Sequence, residues 1–116
     1  MRAVTVQRAG AAFPSENLSA TVELLSALVG VPTVHDGDRW AQFDIGGTRV
    51  MLAGTDRDEQ TPFLAIKVDN LDETLDMLRT KGFAVADPHT GPHERRAVIR
   101  PAGETSWHIA VYEPLA

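Results

Sequence analysis

No cysteine occurs in this 116-residue chain. Its absence removes disulfides, zinc thiolates and a thiol nucleophile together. Positive charge is in deficit, with 11 Lys and Arg against 16 Asp and Glu, a net charge of −5 and a pI near 5.2. That balance disfavours a nucleic-acid footprint. No apolar run approaches the roughly 20 residues of a membrane span, and the opening MRAVTVQR lacks the apolar core of a signal peptide. A soluble cytoplasmic protein with neither a nucleic-acid nor a membrane partner is expected. No serine, histidine and carboxylate are spaced as a triad, and Gly46-Gly47 has no phosphate-loop sequence around it. No catalytic residue is therefore assigned.

Hydrophobic residues make up 43% and charged residues 23%, ordinary for a globular protein of one compact domain. The organising feature is a stretch written twice. Val68 to Asp87 repeats Ser15 to Val34 at an offset of 53 residues, placing Asn17 on Asn70, Leu18 on Leu71, Thr21 on Thr74 and Leu25 on Leu78. Each copy reads as a capped amphipathic helix closing near a glycine. Asn70 and Glu73 have capping-box spacing, and Leu71, Leu75 and Leu78 recur at helical intervals with Gly82 just beyond. The first copy is expected to bury Leu18, Val22, Leu25 and Leu28 or Val29, and to end at Gly30-Val31-Pro32. A period near half the chain implies two modules, 1–54 and 62–116, joined by a linker over 55–61, and not a solenoid.

Within the first module, Arg2 to Phe13 begins as a strand, and Arg8-Ala-Gly-Ala-Ala within it is a small-residue stretch, unusually bare for a strand facing a cavity. Thr33-Val34 is a short strand, His35 to Asp38 a turn, and Trp40 to Ile45 a strand with Ala41, Phe43 and Ile45 opposite Trp40, Gln42 and Asp44. Gly46-Gly47 turns the chain into a strand over Thr48 to Ala53, and Gly54 to Pro62 reads as exposed linker sequence. In the second module, Phe63 to Val68, Phe83 to Ala86, Arg95 to Arg100 and Ser106 to Tyr112 read as strands, with a loop over Asp87 to Glu94. Both halves thus follow strand, helix, strand, strand, strand. Each helix covers one sheet face, and the other is available to line a groove.

The segments WAQFDIGGTRVMLAG, VDNLDETLDMLRTKGFAVADPHTGPHERRAVIRPAG and HIAVYEP resemble the vicinal oxygen chelate superfamily of glyoxalases, extradiol dioxygenases and bleomycin-resistance proteins. The resemblance implies an α+β fold of two tandem βαβββ modules, a curved mixed sheet around a cavity, commonly in a homodimer. It also implies four inward positions that usually hold a divalent metal through His, Gln or Glu. Transferred residue by residue, these are Gly10, Met51, Phe63 and Ala110. None offers the oxygen or nitrogen ligand that the usual metals take, and a lone thioether at Met51 is a poor substitute. No metal and no cofactor are expected. His108, two residues before Ala110 on the same face, would become a ligand only in a slipped register, and alone.

The residues expected to line a ligand groove are Trp40, Gln42, Met51, Phe63, Arg96, His108, Ala110 and Tyr112. Trp40 is either an aromatic wall for a flat ligand or an edge or interface residue. Phe63 and Met51 form either an apolar floor or ordinary core, and His108 and Tyr112 either bind ligand or satisfy each other. Trp107 is expected to face the helices. His89 and His93 sit in a Pro- and Gly-rich loop that forbids a helical metal pair, and one of Arg95 and Arg96 is a candidate for an acidic group. The reading is metal-independent sequestration of a hydrophobic or aromatic small molecule, a natural-product antibiotic, by a homodimer. The alternatives are a glyoxalase-like metal-dependent lyase, isomerase or dioxygenase, and a dimer with a purely structural role.

Overall fold

The repeated stretch folds as the repetition requires. In the computed structural model, which describes residues 5–55 and 60–115, helix α1 spans Leu18–Val29 and α2 spans Leu71–Thr80. Asn17 Oδ1 accepts the Ala20 N–H at 3.1 Å, and Asn70 Oδ1 accepts the Glu73 N–H at 3.0 Å. The hydroxyls of Thr21 and Thr74 donate to the Asn17 and Asn70 carbonyls at 3.0 and 2.7 Å. Identity at matching positions is therefore identity of the helix cap, which satisfies N–H groups that have no partner inside the helix. Beyond each helix a glycine takes a positive φ, 101° at Gly30 and 92° at Gly82, a region a Cβ makes costly.

The strands are β1 (Val6–Pro14), β2 (Val34–Asp36), β3 (Trp40–Ile45), β4 (Thr48–Ala53), β5 (Phe63–Val68), β6 (His89–Thr90), β7 (Glu94–Ile99) and β8 (His108–Pro114). They form an eight-stranded mixed sheet in the order β2-β3-β4-β1-β5-β8-β7-β6, which with the two helices makes an α+β fold. Contacts divide the described residues into a unit over Gly10–Pro62 and a second made of residues 63–115 together with residues 5–9.

In the first unit β1 runs parallel to β4, and β4 and β2 run antiparallel to β3. Alternation sends Ala41, Phe43 and Leu52 to one face, where they pack with Leu18 and Val22 of α1 and, less completely, Leu25 and Ile45. In the second unit β5 runs parallel to β8, and β7 is antiparallel to both β8 and β6. There Val68, Ala97 and Val111 pack with Leu71 and Leu75 of α2. Each fully buried leucine is worth about 1.5–3 kcal/mol relative to exposure. These two clusters fix which strand face remains for other use.

Several sequence expectations are corrected. Phe83 to Ala86 is not a strand: Ala86 N–H reaches Val98 O at 3.4 Å, but Phe83 N–H turns back to Leu78 O at 3.0 Å, and Phe83 is 58% exposed. The edge position instead goes to His89-Thr90, from the stretch read as loop, because these two residues pair with Arg96 and Arg95. His35 and Asp36 extend β2 where a turn was expected, pairing with Ala41 and Trp40. Leu28 and Val29 are exposed, at 70% and 41%, since the core beneath α1 ends with Leu25. Trp107 is 37% exposed and precedes β8. Gly54, assigned to an exposed linker, is buried; a Cβ there would collide with the Asp38 carbonyl oxygen. Residues 56–59 of that stretch, and the start of the first expected strand at Arg2, lie outside the described residues.

Candidate ligand-binding site

Because each helix covers one face of its strands, the candidate residues are those on the opposite face, at alternate positions. In the first unit the register aligns Gln42 with Met51 and Met51 with Ala12, while Trp40 pairs with Ala53 and Gly10 with Arg49. Trp40 and Gln42 are half-buried, and the indole N–H donates to Gln42 Oε1 at 2.9 Å. That bond holds the indole beside its strand neighbour. Met51 is buried, and its methyl lies over Gly10: a Cβ at Gly10 would stand 3.0 Å from Met51 Cε and 2.9 Å from Arg49 O. The bareness of β1 at Gly10 has a packing cause here, since Met51 fills the space a side chain would need.

The second unit presents three successive rows on its face away from α2. Phe63 pairs with His108, and their rings stack with centroids 5.0 Å apart at 22°. Both are buried, at 7% and 2% exposure. The next row is small and apolar, Ala65 with Ala110 and Ala110 with Val98. The third row is polar: Lys67, Tyr112, Arg96 and His89 are successive partners across β5, β8, β7 and β6. Thus Trp40, Gln42 and Met51 share one face of the first unit, and Phe63, Arg96, His108, Ala110 and Tyr112 share one face of the second.

The two adjacent arginines have separate duties, as alternation along β7 demands. Arg95 points to the helix side, where it contacts Asp72 and Glu113 at 3.1 Å each. Hydrogen bonding and charge from Asp72, then Glu113, raise its pKa above the ordinary arginine value. The other oxygen of Glu113 accepts the Leu71 N–H at 3.0 Å, so this group ties β7 and β8 to the start of α2. Arg96 lies on the candidate face and contacts Glu94 at 3.3 Å. Lys67 and His89 were not singled out by sequence as partners of Arg96. The signal for Lys67 was its alternation with Phe63 and Ala65; His89 had no comparable signal, because its strand is two residues long.

The metal positions implied by the resemblance can be tested on their chemistry. Met51, Phe63 and Ala110 are 4%, 7% and 4% exposed, and Gly10 is buried beneath Met51. The register sets Ala110 against Ala65 and His108 against Phe63, and the His108 ring is stacked on that apolar partner. Among the described residues no three of His, Cys, Asp and Glu are grouped as a metal site requires. These positions do not fit a divalent cation.

Comparisons with known proteins agree on the fold. The chain matches a Legionella pneumophila structure described as an NAD-dependent benzaldehyde dehydrogenase, with TM-score 0.80 and 14% identity over 93% of this chain and 100% of that one. It also matches a glyoxalase/bleomycin resistance protein/dioxygenase superfamily member from Vibrio splendidus, with TM-score 0.67 and 9% identity over 96% and 100% of the two chains. No family model and no curated protein matches. The eight-stranded sheet and two helices of this chain are thus a fold shared with those two structures. At these identities the likeness concerns fold alone, and a fold with such differently described members does not select a chemistry. Among the described residues no helix is long and apolar enough to cross a membrane.

Proposed function

We propose that this chain binds and sequesters a hydrophobic or aromatic small molecule without a metal, in the manner of a natural-product resistance protein. The observation that carries the reading is the chemistry at Gly10, Met51, Phe63 and Ala110. Where the superfamily resemblance implies metal ligands, this chain buries a glycine, a thioether, a phenyl ring and a methyl group. Such surfaces favour apolar contact and cannot polarise a substrate oxygen. Trp40, held by Gln42, supplies a flat aromatic surface that is still half-exposed. Sequestration needs no turnover; protection follows from affinity and protein concentration.

A homodimer in the cytoplasm is part of the proposal. Leu24, Leu28 and Val31 are 62%, 70% and 84% exposed on and just after α1, an apolar surface that a second copy would cover. Light scattering at micromolar concentration should give twice the chain mass; a monomer would remove this element.

The test uses purified protein with bleomycin as the first probe, in chelator-containing buffer. Trp107→Phe leaves Trp40 as the reporter. Saturable quenching, lost or weakened by about 1–3 kcal/mol in Trp40→Ala, supports the reading if Trp40 is a central anchor. A stoichiometric, tightly held divalent metal, with binding or turnover abolished by chelation, would overturn it in favour of a metal-dependent lyase, isomerase or dioxygenase.

A further inference from the structure

The polar row of the second unit stands apart from the rest of that face. His89, Arg96, Tyr112 and Lys67 follow one another across four hydrogen-bonded strands. Neighbouring strands lie about 4.8 Å apart, so the row spans about 14 Å, and cross-strand partners on one face bring their Cβ atoms within about 5.5 Å. Lys67, Arg96 and Tyr112 are half-buried and His89 is exposed, so the row remains open to solvent although Phe63 and His108 are buried. Among the described residues, the side chains of Lys67, Tyr112 and His89 make no hydrogen bond or ion pair. Arg96 spends one nitrogen on Glu94 at 3.3 Å, and a guanidinium has five N–H donors. In a chain with net charge −5, this row sets two cations, a phenol and an imidazole side by side against one paired carboxylate.

We propose that the row His89, Arg96, Tyr112 and Lys67 binds the anionic group, a carboxylate or phosphate, of the small molecule this protein takes up. The inference rests on the ligand-binding reading above and narrows it to an acidic ligand. Arg96 is the fork that a planar or tetrahedral oxyanion engages, Lys67 supplies a second charge, and Tyr112 stands between them as a hydroxyl donor. Two residues farther along the strands, about 7 Å away, Ala65, Ala110 and Val98 present an apolar row with little bulk. An acid with an apolar body suits that sequence of rows. Glu94 competes with the ligand for Arg96.

Titrations of the full chain with benzoate, benzamide and inorganic phosphate, followed by amide chemical shifts, test this. Benzoate should bind about tenfold or more tightly than benzamide, as loss of a charge-assisted hydrogen bond implies. Shifts should centre on Lys67, Arg96 and Tyr112. Lys67→Gln and Arg96→Gln should each erase the preference, with circular dichroism checking that they fold. Glu94→Gln, which frees Arg96, should strengthen benzoate binding severalfold. Phosphate binding at the row without either aromatic would support the anion site while counting against the aromatic-ligand reading. Equal binding of benzoate and benzamide would overturn the anion site and leave that reading standing. Absence of binding by benzoate and phosphate alike, or an unchanged benzoate preference in Lys67→Gln and Arg96→Gln, would also overturn it.

Discussion

Restoring metal-type ligands on the buried face should damage the protein before it changes any chemistry. Consider Phe63→His combined with Ala110→Glu. Because both positions lie away from the helices, the sequence suggests that the change is tolerated. The structure gives the opposite expectation. Phe63 is 7% exposed and stacked on His108, and truncating such a ring to alanine costs about 3–5 kcal/mol. Histidine recovers part of the volume but brings a polar ring atom that needs a partner, at about 1–3 kcal/mol if it finds none. Ala110 is 4% exposed, and its cross-strand partners are Ala65 and Val98. A carboxylate placed there is buried beside apolar side chains, at a cost of several kcal/mol. A domain of this size is stable by only about 5–15 kcal/mol, so the double variant should lose most of its stability. Urea denaturation followed by tryptophan fluorescence and far-ultraviolet circular dichroism reads this directly. Added Ni²⁺ or Zn²⁺ would report whether the new groups converge. A midpoint equal to the parent's in chelator would refute the assignment of both residues to a packed interior.

The Asn70 cap and the Glu113 bridge act on the same helix end, so Asn70→Ala should cost about 1 kcal/mol and Glu113→Gln should weaken both the Leu71 N–H contact and the Arg95 ion pair. Their double variant should deviate from additivity in chemical denaturation; strict additivity would argue that they do not cooperate. Glu104 accepts from the Ser106 hydroxyl and N–H, and these bonds lead the causes lowering its pKa, with Trp107 and the Thr105 N–H also contributing. A lowered folded pKa gives stability that is present above the unfolded glutamate value and lost as pH falls through the folded one. Ser106→Ala should therefore move the Glu104 titration upward, read by carboxyl carbon shifts; an unmoved titration would contradict that cause.

The sequence by itself determined the two helices and their caps. Asn17 with Thr21 and Asn70 with Thr74 make the same local bonds, and local bonds depend on spacing alone. It also determined which residues of one strand share a face, because alternation is a property of the extended backbone: Trp40 with Gln42, Phe63 with Ala65 and Lys67, and His108 with Ala110 and Tyr112. Edges and exposure were decided by tertiary structure. His89-Thr90 became a strand because β7 offered an unpaired edge, whereas Phe83 to Ala86, with the better strand composition, found none. Leu28 was left exposed because the core beneath α1 ends with Leu25, and Gly54 was buried because the Asp38 carbonyl closes on it. The separation of Arg95 from Arg96, one fastening a helix and the other on the opposite sheet face, follows from alternation. Which of the two met Asp72 and Glu113 depended on where α2 came to rest. Contacts between residues distant in the chain are set by packing, and packing is where the local code stops.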